Sequence, residues 1–174
     1  MGNSVKNIVP IYKGDESRIL EIGQTAYLDL WVKKDFVRAL HLQKAQGVKI
    51  EDVSKRIVGF MVFCRHERSV LEIWKMAISP EYRRMGYGSY LIEYLKRRLD
   101  NQLCKGKIWI KVNEYNLDGQ VFLQSCGFRC ESIIRQNQHV FCRKTQDELL
   151  MIYRKSSCLH NRFHFGGGFD ATDV

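Results

Sequence analysis

The stretch from Ile78 to Ser89 constrains the fold most, because it joins a predicted strand to a predicted helix through a turn rich in glycine and arginine. It reads Ile-Ser-Pro-Glu-Tyr-Arg-Arg-Met-Gly-Tyr-Gly-Ser. The apolar segment Leu71–Ile78 precedes the turn, and an amphipathic helical pattern over Gly86–Asn101 follows it. Glycines let backbone N–H groups approach an anion closely, and a helix N-terminus presents further donors. The sequence therefore predicts a phosphate-binding loop, to which Arg83 and Arg84 add positive charge.

Length and composition predict one soluble domain. The chain has 174 residues, 45% of them hydrophobic and only two of them proline, which is typical of an ordinary globular protein with a substantial core. No apolar run approaches the roughly 18 residues that a membrane span needs. The N-terminal residues lack the apolar stretch of a signal peptide. We therefore expect a cytoplasmic protein without a membrane partner.

The cysteines are interpreted as reduced core thiols, because no Cys-x-x-Cys pair occurs and several lie inside apolar patterns. The C-terminal pattern Cys158-x-His160-x-x-x-His164 resembles part of a metal site but lacks a fourth ligand. No metal is therefore predicted.

The formal net charge of +9 indicates an anionic partner. Between Arg83 and Lys111 there are eight basic residues against Glu93 and Asp100, so the excess flanks the predicted loop. This excess is consistent with attraction of a polyanionic cofactor or with a solvated basic face. A nucleic-acid surface is the rival interpretation, and no known nucleic-acid motif accompanies the charge.

Hydrophobic periodicity predicts an α+β layout with one mixed sheet. The predicted strands are Asn7–Tyr12, Ile57–Arg65, Ser69–Ile78, Lys107–Val112, Phe128–Ile134 and Glu148–Arg154, with the second and third forming a hairpin. The predicted helices are Asp15–Trp31, Lys34–Gln46 (ending at Gly47), Gly86–Asn101 and Leu117–Ser125. Residues 1–155 form the predicted domain, and residues 156–174 form a Gly-rich tail that we expect to be mobile.

Two motifs resemble those of the GNAT superfamily of N-acetyltransferases. Arg83-x-x-Gly86-x-Gly88 is similar to that family's acetyl-CoA pyrophosphate loop. A second motif, Asn116-x-x-Gly119-x-x-Phe122-Leu123-x-x-x-Gly127-Phe128, is similar to the family pattern Asn-x-x-Ala-x-x-Phe-Tyr-x-x-x-Gly-Phe. The segment from Phe128 to Lys155 also resembles the ribosomal-protein-alanine acetyltransferase branch. The resemblance implies a GNAT-type mixed sheet of about six to seven strands flanked by about four helices, over about residues 5 to 155.

The same resemblance implies acetyl-CoA as cosubstrate. The fourth strand would splay from the fifth, so that backbone groups of Met76–Ile78 pair with the pantetheine arm. Amides from Arg84 to Ser89 would hold the pyrophosphate, and Asn116 would approach the pantetheine. The expected cofactor-binding residues are Met76, Ala77, Ile78, Arg83, Arg84, Met85, Gly86, Tyr87, Gly88, Ser89, Asn116 and Phe122.

Glu72 is the expected catalytic residue. It resembles the Glu that serves as general base in the histone acetyltransferase branch, and a carboxylate placed between apolar neighbours suits that role. The alternative is a solvent-facing strand residue paired with a lysine. The family's usual acid, a Tyr, is replaced by Leu123, and the Glu that many ribosomal-protein-alanine acetyltransferases carry on the fifth strand is replaced by Lys111.

Other candidate residues remain open at this level. Tyr87, Tyr115 or Tyr153 could supply the missing acid, and Glu114 is either a ligand of the substrate amine or a solvated loop residue. Cys126 is interpreted as a core residue, which argues against a covalent cysteine intermediate.

The sequence therefore predicts an N-acetyltransferase that moves an acetyl group to a primary amine by direct attack in a ternary complex. One alternative is an acyl-CoA-binding regulatory module with weak or no catalysis, which Leu123 and Lys111 support. A second is an RNA-associated protein. The amine acceptor, in a protein or a small molecule, and the choice between monomer and homodimer stay open.

Overall fold

One mixed sheet of seven strands organises the part of the chain that the computed structural model describes, residues 7–26, 45–67, 69–100, 106–135 and 147–155. The strands are β1 (Asn7–Pro10), β2 (Ala45–Glu51), β3 (Ile57–Glu67), β4 (Val70–Ile78), β5 (Lys107–Asn113), β6 (Arg129–Ile134) and β7 (Glu148–Arg154). The helices in these ranges are α1 (Glu16–Thr25), α2 (Tyr87–Asp100) and α3 (Leu117–Ser125), and a short 3₁₀ turn covers Pro80–Tyr82.

The sheet has the order β1-β2-β3-β4-β5-β7-β6. Neighbouring strands are antiparallel except β4 and β5, which run parallel. A parallel pair needs a crossover connection, and α2 lies in the chain between these two strands. The predicted α+β fold with a mixed sheet is thereby confirmed.

Each face of the sheet has its own apolar core. On one face, buried side chains of α2 and α3 pack on those of β3, β4, β5 and β7; they include Leu91, Leu95, Leu123, Phe63, Ile73, Ile108 and Met151. On the other face, Ile19 and Ile22 of α1 pack on Phe60, Val62 and Ala77. We call this second side the α1 face. Fully burying one such aliphatic side chain contributes about 1.5–3 kcal/mol.

The predicted helix Lys34–Gln46 is wrong at its C-terminal end. Ala45 and Gln46 begin β2, and Gly47, the expected helix stop, pairs with Val62 across the β2–β3 ladder. Pairing on both sides, with β1 and β3, outweighs the weak local helical pattern. Residues 34–44 of that prediction lie outside the described residues.

The first predicted helix is shorter than expected. It ends at Thr25 instead of Trp31, with Ala26 as its C-cap; the Thr25 hydroxyl donates to the Ile22 carbonyl oxygen within that last turn. Residues 27–31 and the predicted tail, residues 156–174, lie outside the described residues. Within the described ranges, no helix is both long and apolar enough to cross a membrane.

Candidate active site

The loop after β4 has the geometry of an anion cradle. Arg84 and Gly86 both adopt the left-handed conformation, with φ angles of 63° and 78°. Gly86 takes this conformation without a steric penalty, whereas for Arg84 it is uncommon. Helix α2 then begins, with the Tyr90 N–H donating to the Gly86 carbonyl oxygen at 3.1 Å. Because the amides of a first helical turn point along the axis, this end of α2 faces an incoming anion with partial positive charge.

Gly88 brings three of the predicted cofactor residues together. A Cβ added to Gly88 would lie 3.1 Å from Phe122 Cζ and 3.5 Å from Met76 Cε. Phe122 belongs to the second motif and Met76 to β4, so the first turn of α2 lies against both. The two motifs, which lie far apart in sequence, thus meet in space as expected.

Strands β4 and β5 separate beside this loop. Their parallel pairing runs from Val70 with Lys107 to Ile73 with Ile110 and goes no further. A bulge follows on β4, because Ile73 pairs with Phe63 whereas Lys75 pairs with Val62, which leaves Trp74 as the extra residue. Met76, Ala77 and Ile78 therefore lie beyond the last β4–β5 pair, where the two strands are no longer hydrogen-bonded and leave an opening in the sheet.

The start of α3 lies beside the loop after β4. Asn116 is its N-cap, and the Asn116 side-chain oxygen accepts a hydrogen bond from the Gly119 N–H at 2.9 Å. Asp118 lies 3.5 Å from the Arg84 guanidinium, and both side chains are exposed. A solvent-exposed pair of this kind contributes little stability. The pair matters for position, because it places α3 beside the loop that the sequence predicts to bind phosphate.

Glu72 lies just before the opening, on the α1 face. Its strand partners are Cys64 on β3 and Trp109 on β5, and its side chain is 17% exposed. The His66 Nε2–H donates a hydrogen bond to Glu72 Oε2. The alternative of a carboxylate paired with a lysine is therefore not seen: its described partner is a histidine.

Sequence reasoning missed His66, because the predicted strand Ile57–Arg65 ends one residue before it. The structure extends β3 to Glu67, so the imidazole belongs to a strand. Its ring also stacks on Trp109, with 5.8 Å between ring centroids and 21° between ring planes. A longer strand with period-2 alternation from Cys64 would have placed it on the face of Glu72.

None of the three candidate tyrosines lies in an arrangement that marks it as the missing acid. Tyr87 is buried in the core against Tyr82. Tyr115 is 74% exposed. Tyr153 is half-buried, with the Lys96 ammonium 4.6 Å from its ring centroid. Leu123, where the family pattern has Tyr, is a buried core residue.

Glu114 and Cys126 have structural partners. The Glu114 carboxylate accepts a hydrogen bond from the Asp147 N–H at 3.3 Å, which ties the loop after β5 to the start of β7. Cys126 is half-buried, and this burial raises the pKa of its thiol. A thiol held protonated is a poor nucleophile. Lys111 is exposed.

The described residues contain no cluster of three or more His, Cys, Asp or Glu side chains that could hold a metal ion. The weakly metal-like pattern Cys158, His160 and His164 lies outside those residues.

Comparison with known proteins places these features in a family. The family model described as the acetyltransferase (GNAT) family matches residues 14–128, which include both motifs. The ribosomal protein bS18-alanine N-acetyltransferase of Escherichia coli is 26% identical over 133 residues, covering 75% of this chain and 84% of that protein.

Solved structures show the same fold. The crystal structure of the ribosomal-protein-S18-alanine N-acetyltransferase from Escherichia coli has a TM-score of 0.72 at 20% identity, covering 90% of this chain and 98% of that one. A spermidine N-acetyltransferase chimera from Vibrio cholerae SpeG and hSSAT has a TM-score of 0.68 at 16% identity, covering 84% and 93%.

Proposed function

The chain belongs to the acetyltransferase (GNAT) family, and we propose that it moves an acetyl group from acetyl-CoA to a primary amine by direct attack in a ternary complex. The observation that carries this proposal is the contact of Gly88 with Phe122 and Met76. This contact holds two features next to the opening between β4 and β5. One is the loop in which Arg84 and Gly86 have positive φ angles, and the other is the N-terminus of α2.

The residues present fit acetyl-CoA. The amides from Arg84 to Ser89 would hold the pyrophosphate, and the charges of Arg83 and Arg84 would add to the attraction. The backbone of Met76, Ala77 and Ile78 would pair with pantetheine as a missing strand does. Asn116 would approach the pantetheine arm, and the side chains of Tyr87 and Phe122 support this loop. The Met85 amide would belong to the pyrophosphate-binding run, while its side chain is exposed.

Glu72 would act as the general base. The cofactor helix α2 lies on the opposite face of the sheet, so the acceptor amine has to reach the opening from the α1 face, where Glu72 lies. A carboxylate that takes a proton from the ammonium group leaves the amine free to attack. The leaving thiolate would be stabilised by hydrogen-bond donors and water, because Leu123 cannot donate a proton.

The acceptor is proposed from likeness to known proteins and from charge. One relative is named for an alanine of a ribosomal protein and one fold neighbour for spermidine. We propose a protein or peptide amine rather than a polyamine, because the chain itself is strongly basic.

The test measures acetyl transfer by the purified protein to three amines. These are the N-terminus of a peptide with uncharged side chains, a lysine side chain within a peptide, and spermidine. Release of free CoA thiol and the mass of the acetylated product would be measured together. For at least one of these amines, we expect the amount of acetylated product to equal the amount of free CoA thiol released. Binding of acetyl-CoA without any product would instead support the acyl-CoA-binding module.

A further inference from the structure

A bulge in β3 places His66 next to the carboxylate of Glu72, the proposed catalytic residue. Arg65 pairs with Leu71 and Glu67 pairs with Val70, so His66 has no direct partner on β4. Such a bulge re-aims a side chain, and bulges are frequent beside active sites. Here the imidazole reaches the diagonal neighbour, Glu72, and donates to its carboxylate.

Three adjacent strands hold this pair in one arrangement. β3 supplies His66 and β4 supplies Glu72, while β5 supplies Trp109, on which the imidazole ring stacks. Trp109 is also the cross-strand partner of Glu72. The stack and the hydrogen bond together fix the plane and the direction of the imidazole.

His66 is the more solvent-exposed side chain of the His66–Glu72 pair. The Glu72 side chain is 17% exposed and the His66 side chain is 44% exposed. A proton taken by Glu72 therefore has an ionisable neighbour on its outer side, and that neighbour contacts water.

We propose that His66 is a positioning residue for Glu72 and carries to solvent the proton that Glu72 takes from the acceptor. This inference rests on the proposed function. The ammonium group of the acceptor loses one proton to Glu72. In the tautomer that carries its proton on Nδ1, His66 takes this proton at Nε2 and releases the Nδ1 proton to water, which leaves the Nε2–H that donates to the ionised Glu72 carboxylate. Proton exchange with water returns His66 to the Nδ1–H tautomer before the next turnover. The amine nitrogen then forms the C–N bond as the thioester C–S bond breaks, and its second proton ends on the CoA thiol. The balance is one acetylated amine, one CoA thiol and one proton released.

The other charged groups on the α1 face were compared with His66 as acceptors of the proton from Glu72. Strand register places on the same face the residues Cys64, Lys75, Lys107, Lys111, Glu148 and Arg154, and on β2 and β6 the residues Lys49 and Arg129. α1 packs against the face with Ile19 and Ile22, while its Arg18 and Glu21 pair with each other. Arg154 is held by Glu131 at 2.6 Å. Among the described side chains, the one within ion-pair distance of Glu72 is His66.

The test compares three substitutions of His66 by steady-state kinetics from about pH 5 to pH 9, the range in which imidazole titrates. His66→Gln keeps a hydrogen-bond donor but cannot relay a proton, and His66→Phe keeps the ring stack on Trp109 without either property. His66→Ala opens space for added imidazole. Calorimetric titration with acetyl-CoA and thermal unfolding confirm that each variant is folded and binds the cosubstrate.

We expect His66→Gln and His66→Phe to lower kcat about tenfold, less than the ~100-fold or greater loss typical of removing the base itself. The KM for acetyl-CoA should stay unchanged, and free imidazole should restore kcat in His66→Ala. A merely structural role would not give that rescue.

Wild-type kcat and an unchanged pH profile in His66→Gln would overturn the relay while leaving acetyl transfer in place. A loss in His66→Ala that imidazole does not restore would also overturn it. If wild-type protein acetylates none of the amines, the proposed function fails first and the relay with it. Acetyl transfer by the wild-type protein therefore distinguishes failure of the relay from failure of the proposed function.

Discussion

At the scale of single residues, Glu72 combines partial burial with a place beside the opening of the sheet. It lies next to Ile73, where the β4–β5 pairing ends, and it points away from the face that carries α2. A carboxylate there can meet an amine that arrives from the α1 face. The proposed chemistry therefore depends on the carboxylate itself more than on the packing around it.

Glu72→Gln tests this dependence. We expect kcat to fall by roughly 10² to 10⁴, because an amide of the same shape cannot accept the proton. The affinity for acetyl-CoA should be unchanged, since the phosphate loop is untouched. Thiol-release kinetics and calorimetric titration measure the two quantities separately.

The matched control for that substitution is Glu131→Gln, which removes an exposed carboxylate paired with Arg154 on β6 and β7. It should leave kcat at the wild-type value. An active Glu72→Gln enzyme with ordinary kcat would contradict the role of Glu72 as base.

A residue's neighbourhood could be predicted from sequence where a motif places it on a strand or helix, whereas the position of His66 depends on a local irregularity that no motif marks. Glu72, Met76 and Phe122 lie around the opening as their motifs suggested, although their roles stay predictions. His66 escaped notice because a bulge and two more strand residues place it beside Glu72. Neither feature is visible in a polar His-Glu-Arg stretch.

At the scale of elements, the turn between β2 and β3 supports the phosphate loop from outside the motifs. Asp52 accepts hydrogen bonds from the N–H groups of Ser54 and Arg56, at 2.8 Å and 3.0 Å, and from the Tyr82 hydroxyl at 3.2 Å. Tyr82 packs edge-on against Tyr87, at the start of α2. The loop that leads to α2 is thereby anchored to a neighbouring turn.

Asp52→Asn should destabilise this anchor in a pH-dependent manner. The hydrogen bond from the Arg56 backbone, together with the Arg56 guanidinium, lowers the pKa of Asp52 below its usual value although burial opposes this. A lowered pKa in the folded state means that the stabilisation is present above the unfolded pKa of about 3.9 and is lost as the pH falls through the folded value. Thermal unfolding should show a lower Tm for the variant at pH 7 and little difference at the acid end.

Asp118→Asn serves as control, because Asp118 is exposed and its ion-pair partner among the described residues, Arg84, is 3.5 Å away. An equal difference in Tm between wild type and Asp52→Asn at neutral and acid pH would refute the contribution of the ionised carboxylate.

Elements with strong periodicity were predicted well. α2 was located from its apolar residues, which include Leu91, Ile92, Leu95 and Leu99, all of them buried. β2 was missed because Ala45–Glu51 contains a glycine, and its strict alternation of apolar and polar residues covers only the four residues Val48–Glu51. Its strand conformation comes from two partners in the sheet, and such tertiary pairing cannot be read from a local pattern.

At the scale of the whole molecule, charge sets which ligands are attracted. The net charge of +9 favours the polyanionic acetyl-CoA and disfavours a polycation. Lys75 and Lys111 lie on the α1 face with Glu72, on the two strands that border the opening. The acceptor therefore meets positive charge on its way to the proposed base.

Spermidine should accordingly be a poorer acceptor than a neutral peptide N-terminus, by about tenfold in kcat/KM at low ionic strength. The difference should shrink as salt is added, because screening weakens the repulsion. At low salt, Lys111→Glu should bring the kcat/KM for spermidine closer to that for the peptide N-terminus. A preference for spermidine at low salt, unaffected by Lys111→Glu, would show that charge does not select the acceptor.

The most direct measurement is calorimetric titration of the purified protein with acetyl-CoA, beside a Gly86→Glu variant. Gly86 has a φ of 78°, so a side chain placed there strains the loop. A carboxylate at this position would also repel the pyrophosphate that we propose binds there. Gly14→Glu is the matched control, because Gly14 also has a positive φ, 109°, with nothing within 4 Å of an added Cβ. We predict saturable binding that is lost in Gly86→Glu and retained in Gly14→Glu. Absence of binding by folded wild-type protein, or equal binding by Gly86→Glu, would contradict the phosphate loop on which the proposed function rests.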